Sequence, residues 1–292
     1  MRKEKRGQIH FQAIRSACRE GTIENKSVPF SAFLLLAALL ALSAAAHARG
    51  ADGRFEQRES SHFVLHQDVA IDEAGGFRGS RRFEQQVLAE LERAYDQLGH
   101  WLALRPQRKI EVVVYDPARF DATFAGQFRF PAAGFYHGVI RVRGDTQLTE
   151  RLSRVLHHEL VHAALDAAAP TIWLPGWVNE GAAEWFEART GGQRGLGMHQ
   201  RAALTGLAQR GELLGLSTLA SPTFAGFPQG AAQVAYLQSY ALIEYLARQR
   251  GERSLANFLE ALIRSRSLDR ALRRVYKIDA ATLEARFTQE LR

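Results

Sequence analysis

The chain has 292 residues, 46% of them hydrophobic and 24% charged, enough for one large domain or two tightly packed lobes. Its formal charge of +7 is uneven: seven Lys/Arg against three acidic residues put +4 on residues 1–48 and leave +3 on the rest, too little to suggest nucleic-acid binding. Cys18 is the one cysteine, so beyond residue 48 disulfides and thiolate metal ligands are excluded.

The first predicted element is a leader. An apolar run from Phe30 to Ala46 follows a basic start, Met1-Arg2-Lys3-Glu4-Lys5-Arg6, and Ala46-His47-Ala48 supplies the small residues of a cleavage site. Residues 1–48 are therefore expected to be a secretory signal peptide that directs export to a periplasm or out of the cell. If uncleaved, the run becomes an anchor and the chain's one membrane contact, although it is short for a spanning helix. Residues 49–60 read as a linker. Ser61–His66 alternates like a strand, Phe83–Leu104 has the spacing of an amphipathic helix, and Lys109–Tyr115 is a buried-strand run ended by Asp116-Pro117. Ala132–Val142 reads as a strand or hairpin.

From Thr149 onward the pattern is helical: two helices taken up below, then segments near 198–211, 231–250, 254–265, 267–275 and 280–291. Gly211–Gly230 reads as loop bordering a cleft. Arg264, Arg266, Arg270, Arg273 and Arg274 interleave with Leu268, Leu272 and Val275, the pattern of a solvated helix face. The expected fold class is α+β, with a small mixed β-sheet lobe over 61–148 and a mainly helical lobe over 149–292, together one domain.

The chemistry concentrates at the junction of these lobes. Leu148, Leu152, Val155, Leu156 and Leu160 recur at helical spacing, Asp145 or Thr146 is placed to cap the start, and Pro170 stops the run. Within it stands His158-Glu159-Leu160-Val161-His162. Residues four apart share a helix face, so both imidazoles can chelate one metal, and Glu159 follows the first as a general base. That arrangement is the zinc-peptidase pattern of two histidine ligands and a glutamate. His157 points about 100° away around the helix and reads as structural.

A zinc site needs a third ligand. Trp177-Val178-Asn179-Glu180-Gly181-Ala182-Ala183-Glu184-Trp185 reads as a second helix, entered through Leu174-Pro175-Gly176. Glu180 and Glu184, one turn apart, both qualify. Gly181 lets this helix approach a neighbour, and Trp173, Trp177 and Trp185 read as packing residues.

The pair His-Glu-Leu-Val-His and Trp-Val-Asn-Glu-Gly resembles the gluzincin clan of zinc peptidases, and the element order is similar to the peptidase-MA-like domain. The resemblance runs from about Ser60 to the C-terminus. It implies a metal site between the lobes, with Zn2+ held by His158, His162 and Glu180, and with Glu184 as a second-shell carboxylate that orients a ligand histidine. It also implies a tyrosine that stabilises the oxyanion. Val234–Leu242 is similar to the helix that carries it, and Tyr236 with Ser239 matches a tyrosine three before a small residue. Tyr240 and Tyr245 read as core or rim aromatics.

In the clan an edge strand pairs with the extended substrate backbone, which would place Gly134, Phe135, Tyr136 and His137 against a peptide or protein substrate. Clan aminopeptidases carry a glutamate near this strand, and Ala132–Val142 contains no acidic residue. The expected activity is therefore peptide-bond hydrolysis by a water that Glu159 deprotonates, with Tyr236 at the oxyanion and endopeptidase or carboxypeptidase-like specificity. The alternative is an envelope binding or scaffolding module that keeps the fold without catalysis.

Overall fold

Alternating apolar residues build the central strands of a five-stranded sheet, and a helix laid across one end of it carries both histidines. The computed structural model of the chain describes residues 55–69, 71, 77–127 and 132–292; the expected leader, its apolar run and Ala48 lie outside them. The strands are β1 (Glu56–Glu59), β2 (Phe63–Gln67), β3 (Ile110–Tyr115), β4 (Gly134–Tyr136) and β5 (Ile140–Arg143). Their order across the sheet is β1-β2-β3-β5-β4. β2, β3 and β5 run parallel, while the outer strands β1 and β4 pair antiparallel with β2 and β5. β4 is therefore an edge strand.

Phe63, Leu65, Val112, Val114, Ile140 and Val142 are fully buried, the one-face alternation that a period of two produces. Helix α1 (Phe77–Trp101) links β2 to β3 and packs on the sheet with Val87, Leu91, Ala94 and Leu98. It starts ahead of the expected Phe83 and stops before Leu104, where Ala103 takes a left-handed conformation at φ 55°. The segment expected as a linker contains β1, whose register against β2 places Glu56 opposite Gln67. Asp116-Pro117, read as the end of a strand, also starts a short helix, α2 (Pro117–Thr123). Asp116 accepts from the Ala118 N–H, and Pro117 occupies the first turn, where a missing N–H costs nothing.

The remainder is helical: α3 (Glu150–Ala168), α4 (Gly176–Thr190), α5 (Met198–Arg210), the single turn α6 (Leu216–Leu219), α7 (Gln229–Arg250), α8 (Arg253–Ser265), α9 (Leu268–Val275) and α10 (Ala280–Leu291). The architecture is α+β, a small mixed sheet followed by a mostly helical part. No helix among the described residues is long and apolar enough to cross a membrane.

Helix α3 is capped by Thr149, whose side chain accepts from the Leu152 N–H at 3.3 Å. Of the expected caps, Asp145 or Thr146, neither serves: Asp145 accepts from the Thr146 N–H in the preceding turn. α3 lies over the β4–β5 end of the sheet and against α1 on one side and α4 on the other. α4 is enclosed on nearly every side, with Trp177, Val178, Ala183 and Phe186 fully buried between α3 and α7. Gly181 sets how closely α4 and α7 approach: a Cβ there would meet the Ser239 carbonyl oxygen at 2.5 Å. A small residue at Ser239 serves the same approach, and its hydroxyl donates back to the Ala235 carbonyl at 2.6 Å.

Candidate metal centre

His158 and His162 lie one turn apart on α3, and Glu180 comes from the first turns of α4, which packs beside it. His158 Nε2 is 3.5 Å from Glu180 Oε2, and His162 Nε2 is 3.4 Å from the same oxygen. The three ligand-capable atoms all lie within 4.8 Å of one another. A tetrahedral zinc with bonds of about 2.0–2.2 Å needs neighbouring ligand atoms about 3.4 Å apart, so the spacing and the two-nitrogen, one-oxygen donor set both fit.

Each histidine is fixed from behind. His162 Nδ1 donates to Asn179 Oδ1 at 3.2 Å, and His158 Nδ1 lies 3.3 Å from Glu187 Oε2. Both contacts hold a proton on Nδ1 and turn Nε2 toward Glu180, so a bound metal would take the place of the Nε2 proton. Glu184, expected to orient a histidine, stands 4.0 Å from His158 Nδ1 and faces the cleft; Glu187, one turn further along α4, takes the nearer place. Sequence reading missed Glu187 and Asn179. Their signal was available: Glu180, Glu184 and Glu187 repeat at four and three residues, one helix face, and Asn179 directly precedes the ligand candidate.

The electrostatics follow from burying these charges together. Burial opposes protonation of His158, yet Glu180 and Glu187 outweigh it and raise the ring well above the ordinary histidine range. His162 is raised likewise, with Glu180 overcoming burial. Burial alone would push Glu180 up, but the two histidines hold its carboxyl far below the usual range. Glu159 is raised because burial dominates and the histidines only partly offset it. Glu184 is pushed up to about 7, by burial first, with His158 opposing and Glu187 and Glu180 adding. A pocket that raises two imidazoles this way is equally suited to a divalent cation.

The centre opens into a cleft of about 640 Å³. Gly134, Phe135 and Tyr136 of the edge strand line one side, and Pro222, Thr223 and Ala225 of the α6–α7 connection line another. His137 does not line it: β4 ends at Tyr136, and His137 with Gly138, at φ 70°, forms the exposed hairpin turn. Tyr236 reaches the cleft from α7, edge-on to Phe224 at 5.4 Å. Burial first, then the charges of Glu180, Glu184 and Glu159, raise its hydroxyl far above the ordinary tyrosine range, so it remains an O–H donor. Trp177 and Trp185 are fully buried, whereas Trp173 is 80% exposed at the rim, contrary to the packing role expected.

His157 is buried away from the cleft. Its Nδ1 contacts Thr190 Oγ1 at 2.8 Å and its Nε2 lies 2.8 Å from Glu90 of α1, tying α3 to α1 and α4. Tyr240 and Tyr245 are core residues; the Tyr240 hydroxyl donates to the Gly195 carbonyl at 2.8 Å.

Residues 103–292 match the family model of the peptidase MA superfamily, and the chain belongs to that superfamily. No curated protein matches the chain in sequence.

Proposed function

We propose that this member of the peptidase MA superfamily is an exported zinc-dependent peptidase. The observation that carries the reading is the convergence of His158 Nε2, His162 Nε2 and Glu180 Oε2 at 3.4–3.5 Å beside a buried Glu159 in an open cleft. The donor set and its spacing suit zinc, held by His158, His162 and Glu180. Bound there, zinc supplies a lowered water pKa and a polarised scissile carbonyl.

The chain's own groups do the rest. Glu159, raised by burial toward neutrality, accepts the proton of the attacking water and returns it to the leaving amine. Tyr236 stays protonated and donates to the carbonyl oxygen as its charge grows. Glu187 and Asn179 keep both imidazoles turned with Nε2 inward. The position of β4 at the end of the strand order, among the described residues, favours pairing with an extended substrate backbone beside the centre. Export follows from the apolar run 30–46 and the Ala46-His47-Ala48 sequence, and the partner is a peptide or protein substrate.

The test is metal analysis of the purified full chain together with cleavage of a diverse peptide library. One zinc per chain, cleavage, and loss of cleavage on chelation are expected. Absence of bound zinc, or no thermal stabilisation on adding it, would sink the reading. Zinc with no cleavage of any peptide would favour a binding module built on the same fold.

A further inference from the structure

Nine Lys/Arg against four Asp/Glu put +5 on residues 248–279, more than the +3 that residues 49–292 carry as a whole. The positive charge is therefore gathered on the end of α7 and on α8 and α9. Helical spacing shapes it further. Arg253, Asn257, Glu260 and Arg264 recur on one face of α8 at steps of four, three and four. That face, with Arg250 from the end of α7 and Arg274 from α9, lines a concavity of about 780 Å³. It shares no lining residue with the metal cleft. The five arginines read as a solvated face are all exposed, but Arg264 and Arg274 line this concavity as well.

The four carboxylates of this segment are engaged elsewhere. Glu260, the one carboxylate lining the concavity among the described residues, pairs with Arg264 at 3.1 Å. Glu252 lies between Arg250 and Arg253 in sequence, but it is drawn to the buried Arg189 at 2.9 Å. Asp269 accepts from the Ala280 N–H, and Asp279 caps α10. Arg250, Arg253 and Arg274 are left with no carboxylate partner among the described residues. Arg250 and Arg274 stand in last turns, where the macrodipole favours a cation, but Arg253 opens α8, where it disfavours one. Helix stability therefore does not account for the set. The floor beneath them is fixed: the Ser254 hydroxyl donates to the Gly251 carbonyl at 2.6 Å and lies 2.9 Å from the Tyr276 hydroxyl.

We propose that this concavity binds a phosphate group, held by Arg250, Arg253 and Arg274. A phosphomonoester carries a charge of about −2 and three acceptor oxygens, which three guanidiniums without internal partners match. Each planar fork gives two parallel N–H bonds to such a group, whereas a lone carboxylate satisfies only one fork. The phosphate has two sources, the head group of an anionic lipid or a soluble phosphate ester. The site is separate from the metal centre and does not depend on the peptidase reading.

The test titrates the full chain with inorganic phosphate at fixed ionic strength and reads binding by calorimetry. Saturable binding by the parent is expected. Arg253→Gln together with Arg274→Gln should weaken it about 100-fold, as two charge-assisted contacts are lost. Arg266→Gln together with Arg270→Gln removes the same charge from the same segment but outside the concavity, and should leave binding nearly unchanged. Phosphate taken up at the metal centre is common to all three proteins, so the difference between the variants reads the concavity alone. Vesicles of phosphatidylcholine with or without phosphatidic acid, and glycerol phosphate in solution, then separate the sources. Recruitment to the phosphatidic acid vesicles, with glycerol phosphate no tighter than inorganic phosphate, assigns the lipid head group. Tighter binding of glycerol phosphate without recruitment assigns the soluble ester. No saturable binding by the parent, binding that survives Arg253→Gln with Arg274→Gln, or equal loss in both double variants would overturn the proposal.

Discussion

Helix α4 carries two buried polar clusters on roughly opposite sides, and they are solved in different ways. Toward α7, Trp185 Nε1 donates to Glu244 Oε2 at 2.8 Å, and Arg189 Nη2 lies 3.4 Å from the same oxygen and 2.9 Å from Glu252. The Arg189 guanidinium also sits 4.9 Å over the Trp185 ring. Toward α3, Glu180, Glu184 and Glu187 meet two histidines and Glu159, and Arg154 touches Glu187 only at 3.7 Å, outside the cleft lining. The first cluster holds its own cation and serves packing. The second gathers carboxylates and imidazole nitrogens with no lysine or arginine lining their cleft among the described residues, which is how a metal site differs from a structural ion pair.

The comparison breaks most completely at Glu180. Glu180→Ala removes the oxygen that both Nε2 atoms face, so retained zinc should fall below detection by metal analysis after dialysis, with hydrolysis at background. Zinc held at one per chain by this variant would remove Glu180 from the site.

On the opposite side, Arg189→Met strands buried Glu244 and should cost about 3–5 kcal/mol in urea unfolding. The folded fraction should still bind one zinc. Loss of zinc from well-folded protein would show that the two clusters are not separate.

Glu187 and Glu184 sharpen the picture within the cleft. Glu187→Gln should weaken zinc affinity about 10- to 100-fold in competition with a chromogenic chelator, as removal of a histidine's supporting partner does. Glu184→Gln, whose oxygen stands farther from His158, should change affinity less. The opposite order would restore Glu184 as the orienting carboxylate.

The smallest effect concerns Glu90 behind the site. Contact with His157, opposed by burial and aided by Arg93, lowers its carboxyl from 4.5 to about 2. Its folded value lies below its unfolded one, so its contribution is present above pH 4.5 and fades as the pH falls toward 2. Glu90→Gln should therefore flatten part of the acid loss of stability across that window in urea titrations. An unchanged slope would show that the contact carries no net stabilisation.

Legibility in the sequence followed the range of each signal. His158 and His162 were visible because helical spacing brings them to one face, Glu159 by its place in the same motif and Glu180 through the resemblance to the gluzincin clan, and the two long helices follow from their apolar periods. β1 was hidden because Glu56–Glu59 is polar throughout and gains strand form only by pairing with β2. Trp173 and His137 were misplaced because chain direction at a loop, not residue type, decides whether a large ring is covered.

The full chain and its Glu159→Gln variant, both loaded with zinc, are to be compared on one peptide library. One zinc per chain in each, with cleavage by the parent alone, is the expected result. Equal cleavage by both proteins, or zinc bound by neither, would contradict a peptidase built on His158, His162, Glu180 and the base Glu159.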